Sequence, residues 1–320
     1  MEFDLIDRIR ARCDLARSDV VLGIGDDAAL LAPPPGHELA VSTDALVEGV
    51  HFPRGTAPRD LGWKALAVNL SDLAAMGATP AWTLLTLILP QADATFVDAF
   101  AEGFSELAAA HRVALVGGDT TRGPLAIGVT VHGFVPAGRA LRRDGARVGD
   151  LVFATGTLGD AAAGLRCLDA RGVDVADDMR AALVERLDRP TPRIAAGLAL
   201  REHASACIDV SDGLVADLGH VARRSGVGIE LDARALPASP ALLAAFDEDA
   251  RIALQATGGD DYELAFTVAL ERAGDMQRDL ARLGCGATRI GRVVEGDGVR
   301  LLDGEGRDIA LPRAGWEHFA

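Results

Sequence analysis

GIGDDAALLAPPPGHELAVSTDALVEGVHF, residues Gly23–Phe52, decides how this chain is read. Two short apolar runs, Ala28–Leu31 and Leu39–Val41, predict neighbouring strands joined by a proline-rich turn. Asp26 and Asp27 precede the first run, and Ser42, Thr43 and Asp44 follow the second. Carboxylates and hydroxyls gathered at strand ends, with few basic residues beside them, suit a hard cation. Mg²⁺ takes oxygen ligands and completes its shell with water and phosphate oxygens. Solvated turn aspartates produce the same pattern, and an isolated Asp-Asp pair would favour that reading. Further acidic clusters downstream reverse the balance.

The chain has 320 residues, 49% hydrophobic and 25% charged, with a formal net charge of -15. That length suits about two domains. The acidic excess argues against a nucleic-acid or anionic-membrane surface, since both need clustered positive charge. A phosphate ligand would therefore need metal ions to offset its charge. The start, MEFDLIDRIRARC, holds no apolar signal core, and the longest apolar run, Thr83–Leu89, is strand-sized. A cytoplasmic protein with no membrane contact is the expectation. Cys13, Cys167, Cys207 and Cys285 are far apart, form no C-x-x-C pair, and read as buried reduced thiols. Lys64 is the only lysine.

Phe3, Ile6, Ile9 and Cys13 recur at helical spacing, predicting an N-terminal helix. Asp60 caps a second helix through GWKALAVNLSDLAAMGA, on which Asn69, Asp72 and Met76 share a face. An Asp on an apolar stripe is costly unless paired or metal-bound, and a structural hydrogen bond is the equal alternative. A strand over Ala81–Leu89, a helix over Thr95–His111, and strands Val113–Val116 and Leu125–Val135 follow. Pro136–Asp150, with Arg139, Arg142, Arg143 and Arg147, reads as a connection. The expected division is therefore 1–137, a connection over 138–149, and 150–320. The second half repeats the alternation of strands and helices, so two α/β domains of mixed α+β character are predicted. Its Asp209 and Asp212 close the strand Ala206–Val210, and GGDDYELAF feeds a strand over Tyr262–Val268.

No Walker loop, G-x-G-x-x-G fingerprint or H-R-D kinase loop is present. The substitutes are strand-to-turn junctions at Gly117-Gly118-Asp119, Gly156–Gly159 and Gly258-Gly259, whose N–H groups could cradle oxygens. Each is weak alone. Asp27, Asp44, Asp72, Asp119, Asp209 and Asp212 sit at strand ends or on a helix near one, several beside a hydroxyl. Packed together, so many carboxylates repel unless cations offset them.

GIGDDAA, STDALVEGVHF, NLSDLAAMGATP, VGGDTTRG, DVSDGL and GGDDYELAF, in that order, resemble the thiamine-monophosphate kinases, relatives of aminoimidazole ribonucleotide synthetase. The likeness spans nearly the whole chain. It implies a PurM-like pair of α/β domains: an N-terminal domain that binds ATP and Mg²⁺ and whose sheet forms a homodimer interface, and a C-terminal α/β domain, with the active site between them. It implies ATP as co-substrate, several Mg²⁺ ions, thiamine monophosphate as acceptor, and leaves a need for K⁺ open. Carried over motif by motif, Asp27, Ser42, Thr43, Asp44, Asp72, Asp119, Asp209 and Asp212 would bind Mg²⁺. Gly118, Asp119, Arg143 and Ser211 would contact ATP. His51 and Asp260 would hold the acceptor, and Trp316 would pack on its rings. His51 by itself, between Val50 and Phe52, reads more readily as a core histidine, and the family usually carries Glu where this chain has Asp260. No residue is assigned as a general base, because the acceptor phosphate is already ionised near neutral pH.

Rival readings differ in chemistry. A selenophosphate synthetase would need a reactive Cys near the glycine loop, and a hydrogenase-maturation relative would end in Cys; this chain has neither feature. A two-metal phosphohydrolase would need neither the arginines nor two domains. A non-catalytic cation-binding protein would not bind Mg-ATP.

Overall fold

In the computed structural model, residues 2–169, 173–311 and 313–316 are described. The Phe3 side chain, Ala170, Pro312 and the tail beyond Trp316 lie outside the described residues. Contacts divide the chain into two units: Met1–Leu73 with Ala78–Ala140, and Ala74–Gly77 with Leu141–Ala320. The irregular stretch after residue 136 is thus split at Ala140.

In the first unit the chain runs through α1 (Glu2–Arg12), β1 (Val20–Leu22), β2 (Leu30–Leu31), β3 (His37–Val47), α2 (Pro58–Ala75), β4 (Thr79–Leu89), α3 (Ala94–His111), β5 (Ala114–Arg122) and β6 (Ala126–Pro136). Four strands form a sheet in the order β3-β6-β4-β5, parallel only between β4 and β5. Alternation along β4 and β6 buries Leu85, Leu87, Val129 and Val131 on one face. The Leu73 side chain of α2 packs near Gly133 on that same face. Phe100 and Phe104 of α3 are fully buried, each contributing about 1.5–3 kcal/mol. Asp93 caps α3 by accepting from the Phe96 N–H. The α2 and α3 backbones touch at Gly62 and Gly103, where a Cβ would lie 2.0 Å from the Phe100 carbonyl oxygen and 1.8 Å from that of Arg59.

Two expectations are corrected here. The runs Ala28–Leu31 and Leu39–Val41 are not neighbours: Leu30 and Leu31 pair with β1 in a separate two-stranded ribbon, while β3 pairs with β6. And Ser42, Thr43, Asp44 and Asp119 are not at strand ends. β3 continues to Val47, because all of it from His37 is matched residue by residue against β6. Likewise β5 continues through Gly117–Arg122 along β4. Cross-strand pairing overrides the weak strand preference of Ser, Asp and Gly.

The second unit holds β7 (Leu151–Thr155), α4 (Asp160–Leu168), α5 (Asp177–Asp188), α6 (Ile194–Leu200), β8 (Ala204–Asp209), α7 (Leu214–Ser225), β9 (Gly228–Asp232), α8 (Pro240–Ala245), α9 (Glu248–Thr257), β10 (Leu264–Val268), α10 (Ala273–Arg282), β11 (Ala287–Val294) and β12 (Val299–Leu302). Its six-stranded sheet has the order β12-β9-β11-β7-β10-β8, parallel only between β12 and β9. Both units are mixed α/β, as expected. β7, β8 and β10 are apolar runs buried on both faces; Val152, Ala154, Ile208 and Ala265 lie in one core with Leu214, Leu218 and Val221 of α7. No described helix is long and apolar enough to cross a membrane. All four cysteines are free thiols and buried.

Gly118 sits at φ +149°, and a Cβ there would lie 1.8 Å from the Leu85 carbonyl oxygen. Gly118→Ala is therefore expected to destabilise the first unit by at least the roughly 1–3 kcal/mol of a strained backbone. A thermal melt within 1–2 °C of wild type would contradict this, since a loss of that size moves the midpoint by several degrees.

Candidate active site

In the first unit, period-two alternation sorts the predicted ligands. Ser42 and Asp44 pair with Val131 and Val129, so they share the face on which α2 packs. The Ser42 hydroxyl donates to Asp72 Oδ2 at 2.5 Å, and the Asp44 backbone N–H donates to Asn69 Oδ1 at 3.0 Å. Asn69 is buried, and its amide donates to the Ala65 carbonyl, fixing which way its oxygen points. The sheet edge and α2 thus bring Ser42, Asp44 and Asp72 together. The asparagine on the expected face of α2 is a backbone clamp for β3.

Thr43 and Asp119 go the other way. Thr43 pairs with Thr130, and Asp119 pairs with Thr86, both on the opposite face. The Thr43 hydroxyl donates to the Val129 carbonyl at 3.1 Å and lies 2.9 Å from the Thr130 hydroxyl. Asp119 is exposed, as is Gly118. Asp27 is exposed in the β1–β2 connection, where its N–H donates to Asp26 Oδ1. His51 lies in the turn after β3. Its Nδ1 accepts from the Val47 N–H at 2.9 Å, so the proton of the neutral ring is on Nε2.

In the second unit the predicted residues gather on one turn. Asp209 ends β8 and is buried. Ser211 and Asp212 follow it, and α7 starts at Leu214. The loop between α9 and β10 lies against this turn: the Asp260 N–H donates to the Ser211 carbonyl, and the Tyr262 N–H donates to the Val210 carbonyl. The Trp316 N–H donates to the Asp212 carbonyl at 2.9 Å, and its side chain is 46% exposed. Asp260, Ser211, Asp212 and Trp316 are therefore neighbours. Asp260 Oδ1 accepts from the Tyr262 hydroxyl at 3.1 Å. Arg143 lies in the connection and is exposed; its carbonyl accepts from Ser225 Oγ.

Several residues that matter were missed in the sequence. Asp217 is buried on α7, and burial together with the Asp212 charge pushes its carboxyl up to about 7. Glu263 is fully buried and takes a two-pronged contact from Arg193, at 2.6 and 2.5 Å, with Arg186 at 2.9 Å and Thr155 at 2.7 Å. Asp261 is buried and accepts from the Gly159 N–H at 2.7 Å, and burial raises its pKa well above the usual range. Asp260 and Tyr262 hold φ of 69° and 50°, left-handed values that are costly for non-glycine residues. The buried network beneath them holds that strained loop in place. A signal was present: three acids in DDYE ahead of an apolar run require partners.

Among the described residues, no three His, Cys, Asp or Glu side chains are placed to hold a metal ion. The donors that do meet, Ser42 with Asp72 beside Asp44, are hard oxygens and fit Mg²⁺ in kind. The thiols are unsuited to nucleophilic chemistry: burial pushes Cys13 up to about 12.

Residues 25–135 match the N-terminal domain, and residues 147–304 the C-terminal domain, of the AIR synthase related proteins. The chain is 46% identical to the thiamine-monophosphate kinase of Salmonella typhimurium, over 100% of this chain and 98% of that protein. It is similar to the crystal structure of thiamine-monophosphate kinase from Stenotrophomonas maltophilia, with 50% identity, a TM-score of 0.89, and coverage of 96% and 98% of the two chains. It is also similar to a structure described as AaThiL complexed with AMPPCP and TMP, at 37% identity and a TM-score of 0.80, covering 99% and 97%.

Removing one partner of a buried ion pair leaves an uncompensated charge and costs about 3–5 kcal/mol. Arg193→Leu leaves Glu263 with Arg186 as its remaining guanidinium and is expected to lower stability by up to that amount. Arg142→Leu, which breaks the exposed pair with Asp144, should leave it unchanged. Equal unfolding midpoints for the two variants would refute the clamp.

Proposed function

The chain belongs to the thiamine-monophosphate kinases of the AIR synthase related family, and from that membership we propose how its residues carry the reaction. It is an ATP-dependent phosphotransferase that converts thiamine monophosphate into thiamine diphosphate. The observation that carries this is full-length identity of 46% to a thiamine-monophosphate kinase. The likeness to a structure holding both AMPPCP and TMP supports it.

The acceptor arrives mostly as a phosphate dianion, so its oxygen needs no strong base. The barrier is charge repulsion and alignment, and the transfer is proposed to be direct and in line. Bound Mg²⁺ would offset the phosphate charge. Ser42, Asp44 and Asp72 are proposed to hold one ion on the face that α2 packs against; Thr43 and Asp119, on the other face of the sheet, and Asp27 are proposed as ligands of further Mg²⁺ ions. The Ser42–Asp72 hydrogen bond supports this, since a shared cation can replace it. Asp209 and Asp212 are proposed as metal ligands on the second unit. Gly118, Asp119, Arg143 and Ser211 are proposed to contact ATP. Asp260 and Trp316 take the acceptor: the carboxylate and the indole face both favour a cationic thiazolium. His51 is proposed to donate through Nε2 to the acceptor. Its Nδ1 is engaged by Val47, which speaks against a role as base.

The domain roles are also proposals: ATP and Mg²⁺ binding and dimer contacts on the first unit, with Arg143, Asp209, Ser211, Asp212, Asp260 and Trp316 contributed by the second. Beyond the part covered by the β1–β2 ribbon, the face of the first sheet away from α2 carries Leu39 and Val41, exposed at 49% and 55%, which supports a second copy of this chain covering it. A monomer in sedimentation at micromolar concentration would contradict the homodimer. Buried free thiols accord with a cytoplasmic protein. K⁺ is proposed as an added cation, tested by replacing KCl with choline chloride.

Incubation with ATP, Mg²⁺ and thiamine monophosphate should give thiamine diphosphate and ADP in equal amounts; free phosphate instead of thiamine diphosphate would overturn the reading. In the same assay, Asp44→Asn should lose most activity at ordinary Mg²⁺ while keeping its fold. Activity should also need Mg²⁺ beyond that bound to ATP. Trp316→Ala should raise the KM for thiamine monophosphate about 2- to 30-fold, the range of a cation–π contact of roughly 0.5–2 kcal/mol, with the KM for ATP unchanged. A lowered Tm with both KM values unchanged would make Trp316 a packing residue only.

A further inference from the structure

One carboxylate oxygen organises the turn on which the second unit's proposed ligands meet. The N–H groups of Ser211, Asp212 and Gly213 all donate to Asp217 Oδ2, at 3.0, 3.1 and 3.1 Å. Successive N–H groups converging on one point form an anion-binding nest. Here the anion is the protein's own, and Asp217 is buried at 3% exposure. These amides are therefore already engaged, and a phosphate would have to be met by the Ser211 hydroxyl or through a cation held by Asp212.

The carbonyl side of the same turn is also taken. Ser211 accepts from the Asp260 N–H at 2.9 Å, and Asp212 accepts from the Trp316 N–H at 2.9 Å. Gly213, at φ +133°, has no room for a side chain: a Cβ would lie 3.0 Å from the Thr257 carbonyl. The turn thus bonds to Asp217 through its N–H groups and to the acceptor-side segments through its carbonyls.

We propose that Asp217 is a positioning residue that holds the nucleotide-side groups Ser211 and Asp212 and the acceptor-side groups Asp260 and Trp316 to a single turn. This rests on the roles proposed for those residues above. Without an acceptor at Asp217, three N–H groups lose their partner, that of Gly213 buried and those of Ser211 and Asp212 half-buried, and the turn moves to find others. Ser211, Asp212, Asp260 and Trp316 then shift together, because they are bonded to one another through the turn backbone.

The expected signature is loss of affinity for both substrates. A residue that touches only the acceptor, as Trp316 does in the proposal, raises one KM. A residue that matters only for stability lowers the amount of active enzyme and moves neither KM. Asp217→Leu keeps the branching and the number of side-chain heavy atoms but accepts no hydrogen bond. It should raise the KM values for Mg-ATP and for thiamine monophosphate at least 10-fold each. Asp217→Asn keeps an accepting oxygen and should restore both to within about 3-fold of wild type. Trp316→Ala and Asp212→Asn are assayed alongside. If those two behave as wild type, the underlying site assignment has failed. If they respond while a folded Asp217→Leu keeps both wild-type KM values, the positioning role alone has failed. Asp217→Asn as impaired as Asp217→Leu would also overturn it, by showing that charge rather than hydrogen bonding is needed. So would an Asp217→Asn chain that does not fold.

Discussion

Successive residues of a β-strand face opposite ways, and this one constraint sorts the acidic residues of the first unit. Ser42 and Asp44 are two apart and share the face on which α2 packs, with Asp72 in reach. Thr43 between them is turned away, and its hydroxyl bonds to β6. Asp119 follows Thr86 to that same opposite face. Residues that read as one cluster along the chain are thus divided by the pleat. Asn69 secures the division by accepting from the Asp44 N–H at the sheet edge. A slip of one residue in the β3–β6 register would exchange the two sets.

The second unit solves a related problem with backbone groups. Its acids are held largely by neutral donors: Asp217 by three amides, Asp261 by Gly159, and Asp260 by the Tyr262 hydroxyl. Such donors orient a carboxyl group, and for Asp217 and Asp261 burial still pushes the pKa up. The exception is Glu263, which two arginines neutralise below the site. Buried acids are thus accommodated in two ways: Asp217 and Asp261 by hydrogen bonds and a raised pKa, Glu263 by its two arginines.

Much of the fold was legible because its elements carry strong local signals. The stripe of α3 and the apolar strands β7, β8 and β10 are marked by periodicity or by continuous hydrophobicity. The misreadings share one cause. Ser42–Asp44 and Gly117–Arg122 look like turns because Ser, Asp, Thr and Gly favour turns locally. They are strand because β6 and β4 offer a complete line of hydrogen-bonding partners. Pairing of that kind involves residues far apart in sequence and leaves no local trace.

The motif residues were named correctly as residue types, but their grouping was not visible. By itself the sequence determined two mixed α/β domains, an acidic protein poor in lysine with buried thiols, and membership of a kinase family through its ordered motifs. Tertiary structure alone decided that Ser42 and Asp72 meet while Asp119 faces away. It alone decided that Asp260 sits beside Ser211, and that Asp217, Arg186 and Arg193 support the site without belonging to a recognised motif. The reason is physical. Composition and periodicity report what each residue prefers, whereas a site is set by strand register, backbone hydrogen bonds and burial, which are properties of pairs that only the folded chain brings together.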